Sequence, residues 1–313
     1  MSADRPPTID PLAALRWAAR PQSVSAWLHE EVARRMEDRL QWIKLQPRVW
    51  ADWEPVRGGL AAHAAVARRY PKAQCFVVEA SAQRTQVATQ ALCKPWWDRA
   101  HWTGPAPRFA PPPDGAVQMV WANMLLHMSA DPQALIAQWH RALGAEGFLM
   151  FSCLGPDTLR ELRALYRTLG WPPPAHEFTD MHDWGDMLVN AGFAEPVMDM
   201  ERIALTFDTS ERLLVELRQL GRNLHPGRFP ALRGKTWRAQ LLQAWSDQQP
   251  AGASPQQLPL TFEIIYGHAL KPQRRLPVQS ETILSLDEMR SVLRRGKATP
   301  GPVHDGSRQP AKG

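Results

Sequence analysis

The chain has 313 residues, of which 44% are hydrophobic, and this fraction is sufficient for a globular core. Its three cysteines, Cys75, Cys93 and Cys153, have neither the even number of a disulfide framework nor the paired spacing of a zinc site. We therefore expect no metal site and a reducing compartment. The N-terminus is polar and interrupted by proline, and no apolar run reaches the roughly 18 residues of a membrane span, so we expect a cytoplasmic protein without a membrane partner.

The formal net charge of +6 is concentrated at one end of the chain. Nine Lys or Arg and four Asp or Glu lie from Lys271 to Gly313, which accounts for +5 of this charge. We interpret this tail as solvated, disordered sequence, although a basic tail can also bind acidic partners. Because the rest of the chain is nearly neutral, we do not expect a nucleic-acid partner.

The sequence before Pro47 has a helical pattern. Residues 24–42 carry apolar side chains at spacings of four and three between Glu and Arg residues, and these are Val32, Met36, Leu40 and Ile43. The pattern predicts an amphipathic helix. Residues 1–46 are therefore expected to form an N-terminal helical segment.

From residue 49 to residue 192, strand-like and helix-like segments alternate, which predicts parallel strands joined by crossover helices. Short apolar runs at residues 74–79, 116–121 and 148–153 predict buried strands. Between the last two, residues 131–144 predict a helix in which Asp131 is the cap, Pro132 occupies the first turn and Gly144 closes the end.

The remaining segments complete the predicted order. Helices are predicted over residues 157–169, 181–191 and 210–220, and strands over residues 197–207 and 260–269. Residues 249–259 predict a loop, and Ser285 with Glu288 forms a capping box for a short helix. We expect an α/β domain over residues 47–272 and a basic, largely disordered tail over residues 273–313.

Several short motifs follow one another in the order and spacing of a known family. The two most specific are Gly-Pro-Asp-Thr-Leu at residues 155–159 and Met-His-Asp at residues 181–183. The others lie at residues 32–36, 45–49, 67–71, 121–123, 125–127, 138–143, 151–154, 178–180, 184–186, 191–193, 196–201 and 266–269. On these motifs, residues 25–272 resemble the malonyl-acyl-carrier-protein O-methyltransferases of biotin synthesis.

The resemblance implies a fold and a reaction. The fold would be α/β, with a doubly wound, mostly parallel seven-stranded sheet of the class I methyltransferase type and an antiparallel strand at residues 260–269 near one edge. The reaction would transfer a methyl group from S-adenosylmethionine to the free carboxylate of a malonyl thioester on acyl carrier protein. A carboxylate is ionised at neutral pH, so the reaction requires alignment and desolvation but no general base.

The resemblance also implies a cofactor turn, and this sequence departs from it. The family has an acidic residue at the end of the first strand and a Gly-x-Gly-x-Gly turn, because glycine permits close approach of the backbone. The acidic position here is Ala51, and the glycine positions hold Trp53, Pro55 and Arg57. Two groups are candidates for a displaced site, the carboxylates Asp52 and Glu54 and the glycines Gly58 and Gly59.

The other cofactor landmarks are unevenly preserved. Glu79, at the end of the second predicted strand, matches the carboxylate that binds the ribose hydroxyls, with a simple strand-end charge as the alternative. Gln118 stands where the family has an Asp in the fourth strand, and no Asp near residues 105–113 matches the one that meets the adenine. We expect Trp50, Trp53 or Pro55 to occupy the space of the cofactor's methionine part.

Six polar residues are candidates for binding the substrate: Asn123, His127, Asp157, Arg160, Tyr266 and His268. The first four follow predicted strands, and open α/β sheets bind ligands at the carboxyl ends of their strands. Arg160 would pair with the malonyl carboxylate. Structural alternatives stay open, with Asp157 as a helix cap, His127 as a buried strand-end histidine, Tyr266 as a core residue and Arg160 as a solvent-facing residue.

Two interpretations of function follow. In the first, the protein is an active S-adenosylmethionine-dependent O-methyltransferase with a rebuilt cofactor turn. In the second, it has lost the cofactor and catalysis, and it binds a protein, either acyl carrier protein or an active homologue. In that case the preserved second half and the tail would form the binding surface, with contacts from Lys271, Arg274, Arg275, Arg290, Arg294 and Arg295.

Overall fold

Six strands form one sheet in the part of the chain that the structure, a computed structural model, describes: residues 9–93, 104–207, 209–247, 259–273 and 287. The strands are β1 (Val49–Trp53), β2 (Gln74–Val78), β3 (Val117–Ala122), β4 (Leu143–Leu154), β5 (Ala194–Leu205) and β6 (Leu260–Leu270). Their order is β2-β1-β3-β4-β6-β5. Strands β1 to β4 are parallel, and β6 runs antiparallel to β4 and β5.

This topology confirms the predicted α/β fold and the antiparallel strand near the edge. Val77, Val49, Val120 and Leu149 lie on the adjacent strands β2, β1, β3 and β4, as the buried runs predict. The observed strands differ from the predicted ones at their ends, since β4 begins five residues before the predicted residue 148.

A seventh strand is not confirmed in the described residues. Beside β2, the segment 104–113 forms one isolated parallel bridge, between Phe76 and Arg108. The Arg108 amide donates to the Cys75 carbonyl and its carbonyl accepts from the Val77 amide, both at 2.8 Å. Prolines at positions 105, 107 and 111–113 have no N–H to donate, so pairing does not extend into a ladder.

Ten helices surround the sheet in the described residues: α1 (Pro11–Ala18), α2 (Trp27–Arg39), α3 (Pro55–Gly58), α4 (Leu60–Arg69), α5 (Ala82–Leu92), α6 (Pro132–Ala142), α7 (Arg160–Thr168), α8 (Met181–Asn190), α9 (Ser210–Leu220) and α10 (Lys235–Asp247). The first and the last of them have no counterpart among the helices predicted above. Helix α2 ends earlier than predicted because residues 40–42 tighten into a 3₁₀ turn.

Two predicted helix ends are wrong, and one is right. The Asp131 carboxylate accepts from the Ala134 amide at 2.9 Å and caps α6 as predicted. Gly144 does not close that helix, since α6 ends at Ala142 and the chain enters β4 directly. Asp157 does not cap α7, because Leu159 takes that position and the Asp157 carboxylate pairs with Arg202 at 2.8 Å.

Buried side chains cover both faces of the sheet. Alternate residues of a strand point to opposite faces. Thus Trp50 packs in a cluster with Val32 and Met36 of α2, whereas Ala51 packs in a second cluster with Trp139 of α6. Helices on both faces were predicted, and they make the sheet a doubly wound one.

The described residues up to Gln273 belong to one compact unit. No helix in the described part of the chain is long and apolar enough to cross a membrane. Three predictions fall outside the described residues: residues 249–258 of the predicted loop at 249–259, the capping box at Ser285 and Glu288, and the tail arginines from Arg274 onward.

Candidate functional site

The carboxyl ends of β1 to β4 meet at one edge of the sheet, which is where such sheets bind ligands. Four residues singled out in the sequence follow these strands: Glu54 after β1, Glu79 after β2, and Asn123 and His127 after β3. The edge carries two neighbouring depressions, one beside β1 and β2 and one beside the 3₁₀ turn that follows β3. They differ in what fills them.

An arginine of α5 binds both carboxylates of the first depression. The Arg84 Nε donates to Glu79 Oε2 at 2.8 Å, and its Nη2 donates to Glu54 Oε2 at 2.9 Å. Its Nη1 donates to the Ala18 carbonyl oxygen. The side chains of Arg84 and Glu79 are both 0% exposed, so this is a buried ion pair.

A second arginine lies beside it, at one of the positions that the family motif assigns to glycine. The Arg57 Nη2 donates to the carbonyl oxygens of Trp17 and Arg20, and its Nε donates to Gln22 Oε1 at 3.2 Å. Its guanidinium lies 4.2 Å from the centre of the Trp17 ring. Burial and, after it, the neighbouring charge of Arg84 lower the pKa of Arg57 to about 10, so the group is charged at neutral pH.

Both oxygens of the Glu79 carboxylate are engaged by the protein itself. Oε1 accepts from the Val56 amide at 2.9 Å, at the start of α3, and Oε2 accepts from Arg84. Burial raises the pKa of Glu79 to about 7, whereas these two hydrogen bonds lower it. The resemblance assigns this carboxylate to ribose binding. In the structure it instead accepts hydrogen bonds from the start of α3 and from an arginine of α5.

These side chains and α1 leave a cavity of only about 60 Å³ in the first depression. Its lining includes Trp17, Glu54, Arg57, Asn123 and Leu220. Small-molecule sites usually enclose roughly 300–1,000 Å³. The first depression, called the closed cleft below, is therefore filled by the chain's own residues.

The second depression is an open cavity of about 280 Å³. Its apolar wall includes Leu126, Phe178 and Trp184, and its polar lining consists of His127, Ser129, Asp131, Gln133, Glu177 and Thr179. None of the described residues that line it is Lys or Arg. It is called the open cavity below, and it is large enough for a short acyl group.

His127 is held in one orientation beside the open cavity. Its Nδ1 accepts from the Leu154 amide at 3.3 Å, which leaves Nε2 as the protonated nitrogen of the neutral ring. Its carbonyl oxygen accepts from His176 Nε2 at 2.9 Å. Burial places the pKa of His127 well below its usual value, so the ring is neutral at physiological pH.

Asn123 lines the closed cleft, and its side-chain polar atoms bond to the protein itself. Its Nδ2 donates to the carbonyl oxygens of His29 and Gly58, and its Oδ1 accepts from the Ser152 hydroxyl at 2.6 Å. A Cβ atom at Gly58 would lie 3.0 Å from the Asn123 carbonyl oxygen, so this close approach requires glycine. These two residues position the edge and have no free donor for a ligand.

The structure places the other predicted cofactor residues away from the closed cleft. Asp52 is buried and accepts from His63 Nδ1 at 2.7 Å. Gln118 lies near the amino end of β3, where its Oε1 accepts from the Arg48 amide at 2.6 Å. Gly59 begins α4, beside the Glu30 carboxylate. Each has a structural partner that accounts for it.

Three predicted substrate residues are likewise distant from the open cavity. Arg160 is exposed and pairs with Glu161 at 3.0 Å, which is the solvent-facing alternative. The Tyr266 hydroxyl donates to Glu201, and its ring lies under the Arg39 guanidinium. His268 packs against Phe148 in the middle of the sheet. Both lie on β6, whose antiparallel direction puts them away from the carboxyl ends of the parallel strands.

The prediction that Trp50, Trp53 or Pro55 fills the cofactor space is wrong about the residues. The Trp50 ring packs 5.1 Å from His63, and the Trp53 ring lies 6.4 Å from Trp139 on the opposite face of the sheet. Pro55 is the first residue of α3. The cleft is filled by Arg57, Arg84 and Trp17, of which the sequence motif pointed only to Arg57.

Comparison with known proteins shows the family. A family model described as "Methyltransferase domain" matches residues 57–151. A malonyl-[acyl-carrier protein] O-methyltransferase of Gallionella capsiferriformans is 38% identical over 83% of this chain and 89% of its own length. The enzyme of the same name from Laribacter hongkongensis is 36% identical over 82% and 87%. The chain belongs to the malonyl-[acyl-carrier protein] O-methyltransferase family.

A solved structure supports the fold. A proposed methyltransferase from Bacillus halodurans C-125 superposes with a TM-score of 0.51, 14% identity and coverage of 77% of this chain and all of the other. The family relation and the methyltransferase domain show an S-adenosylmethionine-dependent transferase that is related to the enzymes of biotin synthesis. The cofactor that they imply is S-adenosylmethionine.

The residues at the closed cleft do not fit that cofactor in the arrangement that the structure describes. Both oxygens of Glu79 already have partners, and a second guanidinium, that of Arg57, lies 3.8 Å from the neighbouring Glu54 carboxylate. The sulfonium of the cofactor is itself a cation, so like charges would meet in a buried space. The cavity of about 60 Å³ leaves no room for a nucleoside.

Proposed function

We propose that the protein is an O-methyltransferase whose acceptor is the free carboxylate of a malonyl group on acyl carrier protein. The observation that carries this proposal is the 38% identity to a malonyl-[acyl-carrier protein] O-methyltransferase over nearly the whole of both chains. The second half of the chain supports it, since the motifs from residue 151 onward are intact.

The open cavity supports an acyl substrate. Its apolar wall of Leu126, Phe178 and Trp184 suits the thioester end of a short acyl group. Its lining, in the part of the chain that the structure describes, has no Lys or Arg, so the carboxylate would accept hydrogen bonds from neutral donors, for which Ser129, Gln133 and Thr179 are available. A carboxylate is ionised at neutral pH, and the neutral His127 is therefore not needed as a base.

The carrier protein would bind beside this cavity, over helices α9 and α10. Residues 210–247 contain seven Lys or Arg and three Asp or Glu, and acyl carrier proteins are acidic. Arg228 in this segment pairs with Asp10 at 2.7 Å, and the neighbouring Ile9 and Pro11 line the open cavity. Charge complementarity of this kind steers association and weakens with salt.

The test measures methyl ester formation. Malonyl-acyl carrier protein and S-adenosylmethionine are incubated with the protein, and the carrier is analysed by mass spectrometry, with acetyl-acyl carrier protein, which has no free carboxylate, as the control. We expect one methyl ester on the malonyl form and none on the acetyl form. A preparation that binds S-adenosylhomocysteine but forms no ester would overturn the proposal.

A second candidate function is favoured by the filled cleft. A member whose cofactor space is occupied by Arg57 and Arg84 can still bind acyl carrier protein or an active homologue without catalysis. Binding of malonyl-acyl carrier protein in the absence of cofactor, combined with no affinity for S-adenosylhomocysteine in any variant, would support this candidate. A cytoplasmic location is part of both proposals, and the three unpaired cysteines support it.

A further inference from the structure

We propose that the N-terminal segment of residues 9–22, with the side chains of Arg57 and Arg84, is an internal plug of the family's cofactor cleft, and that S-adenosylmethionine binds only when this plug is displaced. The proposal rests on membership of the family and deepens the proposed function. It assigns an autoinhibitory contact to residues whose burial and bonding have no role in the transfer itself.

The contacts of the plug are directed at the cleft. Three carbonyl oxygens of the segment, those of Trp17, Ala18 and Arg20, accept hydrogen bonds from the guanidinium groups of Arg57 and Arg84. Helix α1 ends at Ala18, and carbonyls at a helix carboxyl end lack partners within the helix. The two cations therefore supply partners to carbonyls at this helix end, of which that of Trp17 also accepts from the Arg20 amide at 3.0 Å.

The same two cations take over the acceptors of the cleft. Glu79 and Glu54 are the carboxylates at the ends of β2 and β1, and Arg84 bridges them. A ligand that needs the Glu79 carboxylate must break the bond to Arg84, and a cationic ligand must also overcome the charge of both arginines. S-adenosylhomocysteine has a neutral thioether in place of the sulfonium, so it does not meet the charge of the two arginines with a like charge. Its binding therefore tests displacement of the plug more directly.

The plug can be displaced without unfolding the sheet. Helix α1 has eight residues, and a helix of this length is marginal in water unless it is docked. It is held by Ala13, Ala14 and Trp17, which pack with Leu224, and by the pair of Asp10 with Arg228. These contacts lie outside the two clusters that form the main core.

The experiment titrates S-adenosylhomocysteine into four full-length proteins by calorimetry: the wild type, Arg57→Ala, Trp17→Ala and the control Arg202→Ala. Arg57→Ala removes the guanidinium from the cleft, and Trp17→Ala removes the ring on which it stacks. Arg202→Ala removes an arginine of the same type from an ion pair with Asp157 far from the cleft. Circular dichroism establishes that each variant is folded.

We expect both cleft variants to bind at least tenfold more tightly than the wild type and the control. Equal affinity in all four proteins would overturn the proposal, whether that affinity is measurable or absent. If Arg57→Ala does not fold, Trp17→Ala carries the test. Hydrogen exchange of residues 10–19 in the wild type adds a measurement without substitution: exchange that quickens at millimolar S-adenosylhomocysteine supports displacement, and unchanged or slower exchange contradicts it.

This experiment contains no carrier protein, so its outcome is independent of the methyl acceptor. Tighter binding by the cleft variants, followed by no ester on malonyl-acyl carrier protein, would remove the proposed acceptor and keep the plug. Ester formation by the wild type with equal ligand affinity in all four proteins would remove the plug and keep the acceptor.

Discussion

The closed cleft and the open cavity lie on the same edge of one sheet, yet the first is filled by charge and the second is lined by neutral and acidic groups. In the cleft, two arginines and two carboxylates satisfy one another and the end of α1. In the cavity, His127 and Asp131 are engaged with backbone amides and leave about 280 Å³ free. Family motifs were lost on the side that is filled and kept on the side that is open.

The difference shows how a ligand cleft can be filled by the chain's own side chains while the fold is kept. A Gly-to-Arg change at a ligand turn buries a cation, which costs several kcal/mol unless acceptors surround it. Here the acceptors are the carboxylates of Glu79 and Glu54 and the carbonyl oxygens at the end of α1. The cleft could therefore close as a paired network without disturbing the strands on either side.

The largest expected effect comes from breaking this network. Arg84→Met leaves Glu79 and Glu54 buried with fewer partners, and we expect the free energy of unfolding to fall by about 3–5 kcal/mol. Urea denaturation measures it. The double variant Arg84→Met with Glu79→Gln should recover part of the loss, because the uncompensated carboxylate is gone. A loss below about 1 kcal/mol for Arg84→Met would mean that the cleft is solvated and not closed.

The second-largest expected effect is a dependence of the free energy of unfolding on pH. It comes from two buried histidines, one near the closed cleft and one near the open cavity. Burial lowers the pKa of His29, below the cleft, and of His176, behind the cavity, to about 4, against 6.5 when unfolded. The unfolded state therefore binds more protons between pH 6.5 and 4. Stability is fully present above pH 6.5 and falls as the pH decreases, by about 2 kcal/mol per histidine between pH 7.5 and 5.

Glu79 acts in the opposite direction over part of this range, so the histidines must be isolated. Its folded pKa of about 7 lies above the unfolded 4.5, and its contribution is present below pH 4.5 and lost as the pH rises through 7. The measurement is the difference between the wild type and His176→Gln in urea at pH 7.5 and 5. The exposed His182, replaced by Gln, is the matched control. Equal slopes in wild type and His176→Gln would show that His176 is not buried as a neutral ring.

Much of the fold could be predicted from the sequence, and less of the site. Buried apolar runs predict strands β1 to β4 because such patterns are local in the sequence. For the same reason Asp131 predicts the start of α6. The partners of Glu79 are not local. Arg84 follows it by five residues on the next helix, but Ala18 and Trp17 reach the cleft from far along the chain, and no sequence spacing indicates that contact.

Direction also limited the site prediction. Tyr266 and His268 were predicted to bind the substrate, although the strand at residues 260–269 was itself expected to be antiparallel, as β6 is. The end of an antiparallel strand lies at the opposite edge from the ends of its parallel neighbours. A buried carboxylate such as Glu79 was the one available signal, because burial without a partner is rare and a compensating cation had to exist.

A smaller effect is expected at the rim of the open cavity. Asp131→Ala removes the cap that accepts from the Ala134 amide, and we expect a loss of about 1 kcal/mol of the free energy of unfolding. Asp131→Asn retains a capping oxygen and should cost only a few tenths. The Asn variant also removes a negative charge from the cavity, so it should bind malonyl-acyl carrier protein at least as tightly as the wild type does. Weaker binding by this variant would place the acyl carboxylate elsewhere.

The smallest effect concerns Arg160, which would pair with the malonyl carboxylate if it faced the cleft and which the structure turns to solvent. Its side chain is 57% exposed, and among the described residues its side-chain bond is to Glu161, which also accepts from the Thr261 amide and hydroxyl. Exposed ion pairs contribute about 0–1 kcal/mol, and Glu161 keeps its other partners, so Arg160→Ala should change stability by less than about 0.5 kcal/mol. The affinity for malonyl-acyl carrier protein should stay within twofold of the wild type, measured at low salt. A tenfold loss of affinity with unchanged stability would instead return Arg160 to the substrate, and it would mean that the acyl carboxylate binds outside the open cavity, near the start of α7.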